Sequence, residues 1–379
     1  MKQKSLSASL LFALLLAGVM SALIFPHAHG PAQVLAHSLW FLFLGVIGFL
    51  ILKTGRISRW RAVFFAVLAW GFLLQFKAAL LGLRGKLFFS PEVTEVPYCH
   101  IAIVSQIFNY GYQQLLAFQS GNWKWWGPLS LGFLWVVVTL AIGRGWCSWG
   151  CFYGGLDEGF SRVLKRPLLK KFQLPARLRD LPAAMLLVFA LLSLGTMLPL
   201  FCLWVCPLKI TTAFLDPNDA VRKVQLAVFA AVGVMAIVLL PLILKKRVFC
   251  GLICPFGAWQ SFFGWIHPVR VTISPNLCSS CGLCVAACPT FVLTKENIED
   301  HHVSGYCNHC GECMSACPTS AISYTLFGRQ AQIQKGPSIL RELAEVNVLY
   351  VFAGLLVGGV VGSLFVPAFL ARFLSLFLR

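Results

Sequence analysis

Fifteen cysteines lie in a chain of 379 residues, and two runs of them are copies of one pattern. The first run is Cys278-Ser-Ser-Cys281-Gly-Leu-Cys284-Val-Ala-Ala-Cys288-Pro289. The second is Cys307-Asn-His-Cys310-Gly-Glu-Cys313-Met-Ser-Ala-Cys317-Pro318. Each reads C-x2-C-x2-C-x3-C-P. In such a run three closely spaced thiolates hold three irons of a cubane, and the fourth cysteine ligates the other cluster. The expected ligands of two [4Fe-4S] clusters are therefore Cys278, Cys281, Cys284 and Cys317 for the first, and Cys307, Cys310, Cys313 and Cys288 for the second. Small residues such as Gly282 and Gly311 would let backbone amides approach the cluster sulfurs. Zinc also takes C-x2-C pairs, but two complete copies that both close on Cys-Pro speak against it.

A second set of cysteines forms three C-x3-C pairs: Cys147/Cys151, Cys202/Cys206 and Cys250/Cys254. On a helix, positions i and i+4 share a face, so each pair could offer two thiolates to one centre. Cys147, Cys151, Cys250 and Cys254 together could hold a further cluster or metal. Cys99, beside His100, could join Cys202 and Cys206 in another site, with His100 as an added ligand. The competing readings are buried structural thiols, common in apolar surroundings, and a disulfide from Cys99 to Cys202 or Cys206.

The elements that must position these cysteines are membrane helices. Hydrophobic residues make up 58% of the chain and charged residues only 12%, against about a quarter in soluble domains; the mean hydropathy is +0.79. Apolar stretches of the length needed to cross a bilayer recur at residues 6–25, 34–52, 62–83, 127–143, 181–201, 224–244 and 346–371. A lipid-exposed span must satisfy its own backbone, so each is expected as a helix. The shortest, the fourth, follows Trp123, Trp125 and Trp126, an interfacial belt. The first could also be a cleaved signal peptide, with Lys2 and Lys4 as its basic start.

Formal net charge is +18. It does not indicate nucleic acid, because the cations sit in short loops between spans. Lys53, Arg56, Arg59 and Arg61, the basic run from Arg144 to Arg179, and Lys245-Lys246-Arg247 all fall on one side. The positive-inside rule makes that side cytoplasmic. The expected architecture is an all-α polytopic membrane protein of about seven transmembrane helices, with an inserted α+β two-cluster ferredoxin-like domain. Its parts are a membrane domain over residues 1–247, a cytoplasmic module over 248–345 and a last helix in 346–379. The expected setting is a bacterial cytoplasmic membrane, which the chain crosses several times.

Other polar residues have two readings each. His267 could sit near a quinone headgroup or make an interfacial hydrogen bond. His27 and His29 are loop histidines that could bind metal. Lys77 lies near a span end, where snorkelling accounts for it. Asp157 and Glu158 could carry protons or form a solvated pair. His309, inside the second motif, would tune or shield a cluster.

Gly143-Arg144-Gly145-Trp146-Cys147-Ser-Trp-Gly-Cys151, Arg247-Val-Phe-Cys250-Gly-Leu-Ile-Cys254-Pro255-Phe-Gly257 and the tandem ferredoxin motif together resemble the NapH/NosR-type family over roughly residues 127–320. The resemblance implies a polytopic iron–sulfur protein that takes electrons from quinol, or passes them across the membrane, to periplasmic reductases or metal-centre maturation. It implies redox partners, such as other subunits of a membrane complex. The chain departs from the family where Phe152 replaces the proline after Cys151. It also departs in the additional pair Cys202-Leu-Trp-Val-Cys206-Pro207 and in the loop with Cys99. Three functions are open on these residues: an electron-transfer subunit, a quinol-oxidising or quinone-reducing enzyme, and a redox-sensing or metal-centre assembly protein. No G-x-G-x-x-G fingerprint for a flavin or nicotinamide is present.

Overall fold

The computed structural model describes residues 3–27, 30–82, 100–124, 126–169, 175–207, 219–329 and 337–376. Cys99 and His29 lie outside the described residues, as do the side chains of His27 and Lys77. Among the described residues, seven helices are long and apolar enough to cross a membrane. They are Leu6–Ile24, Pro31–Thr54, Ile57–Phe76, Pro128–Trp149, Leu178–Thr196, Ala220–Leu244 and Val346–Ser363. All seven overlap the stretches where hydropathy puts them, with ends that shift by up to seven residues and, in the last span, by a break described below.

The chain forms two compact units. The first combines residues 1–75, 138–159 and 263–379; the second combines 76–137 and 160–262. The first unit thus holds spans one, two and seven, most of span three, and both C-x2-C-x2-C-x3-C-P runs. The sequence instead suggests a cut at residue 248. Residues 248–262 form a turn and a helix of the second unit, and the first strand begins at Val269.

In the first unit, the seventh span is the axis. Its glycines let neighbours pack directly on its backbone. The Trp40 indole donates to the Gly359 carbonyl at 3.0 Å, and Phe12 of the first span meets Phe352 edge-on at 5.4 Å between ring centroids. The first span is therefore packed into this unit. Lys4 pairs with Glu345, and the Ser5 amide donates to Glu342 at 2.9 Å. The last helical stretch is not continuous to residue 371. It breaks at Leu364–Phe365 and resumes as Val366–Leu374, whose Pro367 has no amide to bond.

The cysteine-rich segment closes on a two-stranded antiparallel sheet. Strand β1 (Val269–Ile273) pairs with strand β2 (Ile322–Leu326), in register from Val269 opposite Leu326 to Ile273 opposite Ile322. Val271, Ile273, Ile322 and Tyr324 are buried. Between the strands run short helices Leu283–Ala287, Lys295–Glu299 and Glu312–Ala316. The first and last start at Gly282 and Gly311, both at positive φ, where a residue without Cβ carries no strain.

Candidate iron–sulfur sites

Two hollows lie inside this module. One is lined by Cys278, Cys281, Cys284 and Cys317. The other is lined by Cys288, Cys307, Cys310 and Cys313. The sheet brings this about: antiparallel pairing of β1 with β2 folds the second motif back on the first, and each Cys-Pro then reaches the other quartet. Among the described residues, no three His, Cys, Asp or Glu side chains converge as the ligands of a single ion would. The four thiols ring a hollow instead, and that arrangement fits a cubane. The Ala321 amide donates to Cys317 Sγ at 3.3 Å, the kind of hydrogen bond that tunes a cluster. Burial pushes the Cys307 thiol up to about 12, with Cys310 adding to the effect. A bare thiolate is costly there, and bound iron would repay that cost.

The two hollows have different surroundings. In the first quartet Cys281 is exposed, and Cys278 and Cys317 are half-buried. In the second, Cys288, Cys310 and Cys313 are buried, and membrane segments cover them. A Cβ on Gly311 would lie 3.2 Å from Ile57 of the third span. The His309 ring meets His267 at 5.3 Å and Tyr350 of the seventh span at 5.7 Å. The Tyr324 hydroxyl donates to the His309 carbonyl at 2.7 Å. Burial first, then the charges of His267 and Arg144, lowers the His309 pKa to about 3. His309 is thus a neutral ring packed beside the quartet, as its reading as a shield requires.

Beneath this lies the Cys147/Cys151 pair, on a loop that turns back into the membrane domain. The Tyr350 hydroxyl donates at 3.0 Å to the carbonyl of Ile142, where the regular α-helix Trp126–Ile142 of the fourth span gives way to the short helical turns Gly143–Gly145 and Trp146–Trp149. The chain then turns at Gly143, whose φ is 53° and whose missing Cβ leaves room for His267. The Trp149 ring packs on Gly354, and its carbonyl on Gly358. Tyr350 and Gly358 are two helical turns apart, so the loop descends about 12 Å beside the seventh span. The helix Phe152–Val163 then returns along the third span. Phe152 stacks on Phe72 with ring centroids 3.5 Å apart, and Glu158 reaches Arg61 near the span's start. Cys147 and Cys151 are both buried near the tip of this hairpin. A broken, re-entrant helix of this kind is tolerated at such depth only where protein encloses it.

Arg61 fastens these parts together. It is fully buried. Its Nη1 donates to the Ser148 carbonyl at 2.9 Å and to Glu158 at 2.8 Å, and its Nη2 reaches Glu158 and Glu312. Ser148 follows Cys147, and Glu312 lies between Cys310 and Cys313. Asp157 and Glu158 are both buried, which corrects their reading as a solvated pair. Arg144, three residues before Cys147, stands over the Tyr306 ring at 5.1 Å.

In the second unit the Cys250/Cys254 pair is built alike. A widened turn, Phe249–Ile253, leads to the helix Pro255–Phe262; Pro255 opens that helix, where its missing N–H is not needed. Gln260 accepts from the Trp135 indole at 2.9 Å, near the middle of the fourth span. Arg247 Nη2 donates to Cys250 Sγ at 3.4 Å. The His100 ring meets Phe256 edge-on at 4.6 Å. The His100–Ser105 helix also touches Leu200–Trp204, which carries Cys202. His100 therefore does not stand in a loop apart from the Cys250/Cys254 pair.

The three pairs share one local geometry that their spacing alone does not reveal. The amide of the second cysteine donates to the carbonyl five residues back: Cys151 to Trp146 at 2.9 Å, Cys206 to Phe201 at 2.9 Å, and Cys254 to Phe249 at 3.0 Å. Each acceptor is an aromatic residue just before the first cysteine. That aromatic is the signal by which the three loops could have been recognised as repeats.

Comparisons with known proteins agree with this repetition. The 4Fe-4S dicluster domain family matches residues 270–318. The 4Fe-4S binding domain family matches three times, at residues 124–171, 181–217 and 226–274, and each match contains one C-x3-C pair. The chain thus carries 4Fe-4S binding domains together with seven helices of membrane length. It is similar to the Escherichia coli protein named "Putative electron transport protein YccM", 24% identical over 160 residues covering 41% of this chain and 44% of that protein. It is also similar to an uncharacterized protein of Methanocaldococcus jannaschii, 28% identical over 171 residues covering 43% of this chain and 66% of the relative. The matched stretches span less than two thirds of either relative. No solved structure matches the chain.

Proposed function

We propose that this chain is a membrane-bound iron–sulfur electron-transfer protein. In this reading two [4Fe-4S] clusters are held by Cys278, Cys281, Cys284 and Cys317, and by Cys307, Cys310, Cys313 and Cys288. The C-x3-C pairs Cys147/Cys151, Cys250/Cys254 and Cys202/Cys206, with Cys99 as a further candidate ligand, would hold further centres with which these clusters would exchange electrons. The observation that carries the proposal is the Arg61 junction. One buried side chain touches both the Cys147 loop and the Cys310–Cys313 loop, so a centre in either would lie close to the other. The electron-transport name of the Escherichia coli relative supports the same reading. The clusters supply one-electron redox chemistry. The protein fixes their spacing, excludes water and supplies N–H donors to sulfur.

The basic loops support placing the module on the cytoplasmic face of a bacterial inner membrane, with other redox proteins as partners. Anaerobic iron and acid-labile sulfide analysis with EPR tests the proposal. More than about eight irons per chain are expected, falling toward eight in a Cys147→Ser/Cys250→Ser variant with loss of a distinct signal. A chain purified anaerobically without iron would end this reading.

A further inference from the structure

The first quartet and its surroundings differ in kind from the second. In the second, three cysteines are buried and Cys307 is half-buried, and spans three and seven and the His309, Tyr324 and Tyr350 rings pack beside it. The first has an exposed ligand, Cys281, between two exposed leucines, Leu277 and Leu283, at 54% and 50%. Its hollow is lined only by module residues, among them Ile298 of the helix Lys295–Glu299. That helix and its cap expose Glu296, Glu299 and Asp300 against a single cation, Lys295. In a chain of net charge +18 this is a local reversal of sign, and it adjoins the exposed quartet.

We infer that the Cys281 face of the module is the docking surface for a soluble one-electron carrier whose redox centre is ringed by basic side chains. The inference rests on the proposed function and adds the point at which electrons pass between the chain and solution. Leu277 and Leu283 supply the apolar contact and Glu296, Glu299 and Asp300 the steering charge, the division of labour found at transient interfaces. One electron leaves the carrier, which is oxidised by one unit, and one arrives at the first quartet; flow in the other direction balances in the same way. No bond forms or breaks and no proton moves. The second quartet, nearer the Cys147 loop, then connects the first to the membrane pairs.

The test uses the full chain in detergent with its clusters intact. It is reduced anaerobically and mixed in a stopped-flow instrument with a ferric c-type cytochrome of basic surface. The expected second-order rate falls as NaCl rises. A Glu296→Gln/Glu299→Gln/Asp300→Asn variant is expected to react about tenfold more slowly at low salt, with a flattened salt dependence and unchanged iron content and EPR spectrum. A variant that keeps its iron, its rate and its salt slope would overturn the inference and leave the proposed function standing. An iron-free wild-type chain would overturn both.

Discussion

Arg61 and Glu158 are charges buried in a region that should reject charge, and each depends on the other. Removing one partner of such a pair leaves an uncompensated ion, at a cost of about 3–5 kcal/mol. Arg61→Met is therefore expected to lower the melting temperature in detergent sharply. Arg61→Met combined with Glu158→Leu should recover part of that loss, because the buried Glu158 carboxylate no longer stands without its partner. Hydropathy cannot see this pair. Arg61 reads as one more basic loop residue and Glu158 as half of a surface pair, and only the returning helix Phe152–Val163 brings them together. His267 makes a second prediction. It is buried, and its Nδ1 donates to the Leu140 carbonyl. Burial lowers its pKa from 6.5 to about 4, and Arg270 adds a smaller lowering effect. Between those values the unfolded chain binds more protons at this site than the folded one. Stability should therefore fall as pH drops from 6.5 toward 4, by up to about 1.4 kcal/mol per pH unit. Chemical denaturation at pH 7 and pH 5 reads this slope, which should be shallower in His267→Gln.

At the scale of elements, the spans were legible and their breaks were not. Runs of apolar residues mark where helices cross, whatever packs against them. The hairpin 143–163 is apolar at its tip, too short for a span, and held by neighbours far away in sequence. Its course depends on Gly354 and Gly358 of the seventh span, which hydropathy reads only as ordinary span residues. A Cβ at Gly354 would lie 2.5 Å from the Trp149 ring. Gly354→Leu should displace the hairpin, costing about 1–3 kcal/mol or more. It should also make Cys147 reactive toward a maleimide that the unaltered protein resists, a change mass spectrometry can read. The two motifs that supply the quartets stood out because each lies within twelve consecutive residues. The aromatic that precedes each C-x3-C pair went unread because its contribution is a backbone carbonyl, which no residue type announces.

Over the whole chain, the module at residues 269–326 and the Cys147 hairpin belong to one compact unit, although more than a hundred residues separate them in sequence. The sequence shows two kinds of cysteine motif and seven spans. It does not show that Glu312 and Ser148 meet on Arg61, since that contact exists only once distant segments have folded. The wall of the hairpin is the seventh span, which is made after the hairpin and after both cysteine motifs. While the chain is being synthesised, Trp149 has no Gly354 or Gly358 to pack on, and Cys147 and Cys151 cannot be enclosed until residues 346–363 have entered the membrane. Both ferredoxin-type motifs leave the ribosome before that happens. The protein therefore has an assembly calendar, in which the module can take up iron first and the hairpin closes over its pair only once the seventh span is in place. Chains arrested before residue 346 should leave Cys147 open to alkylation, and chains in which Val346–Ser363 has entered the membrane should not.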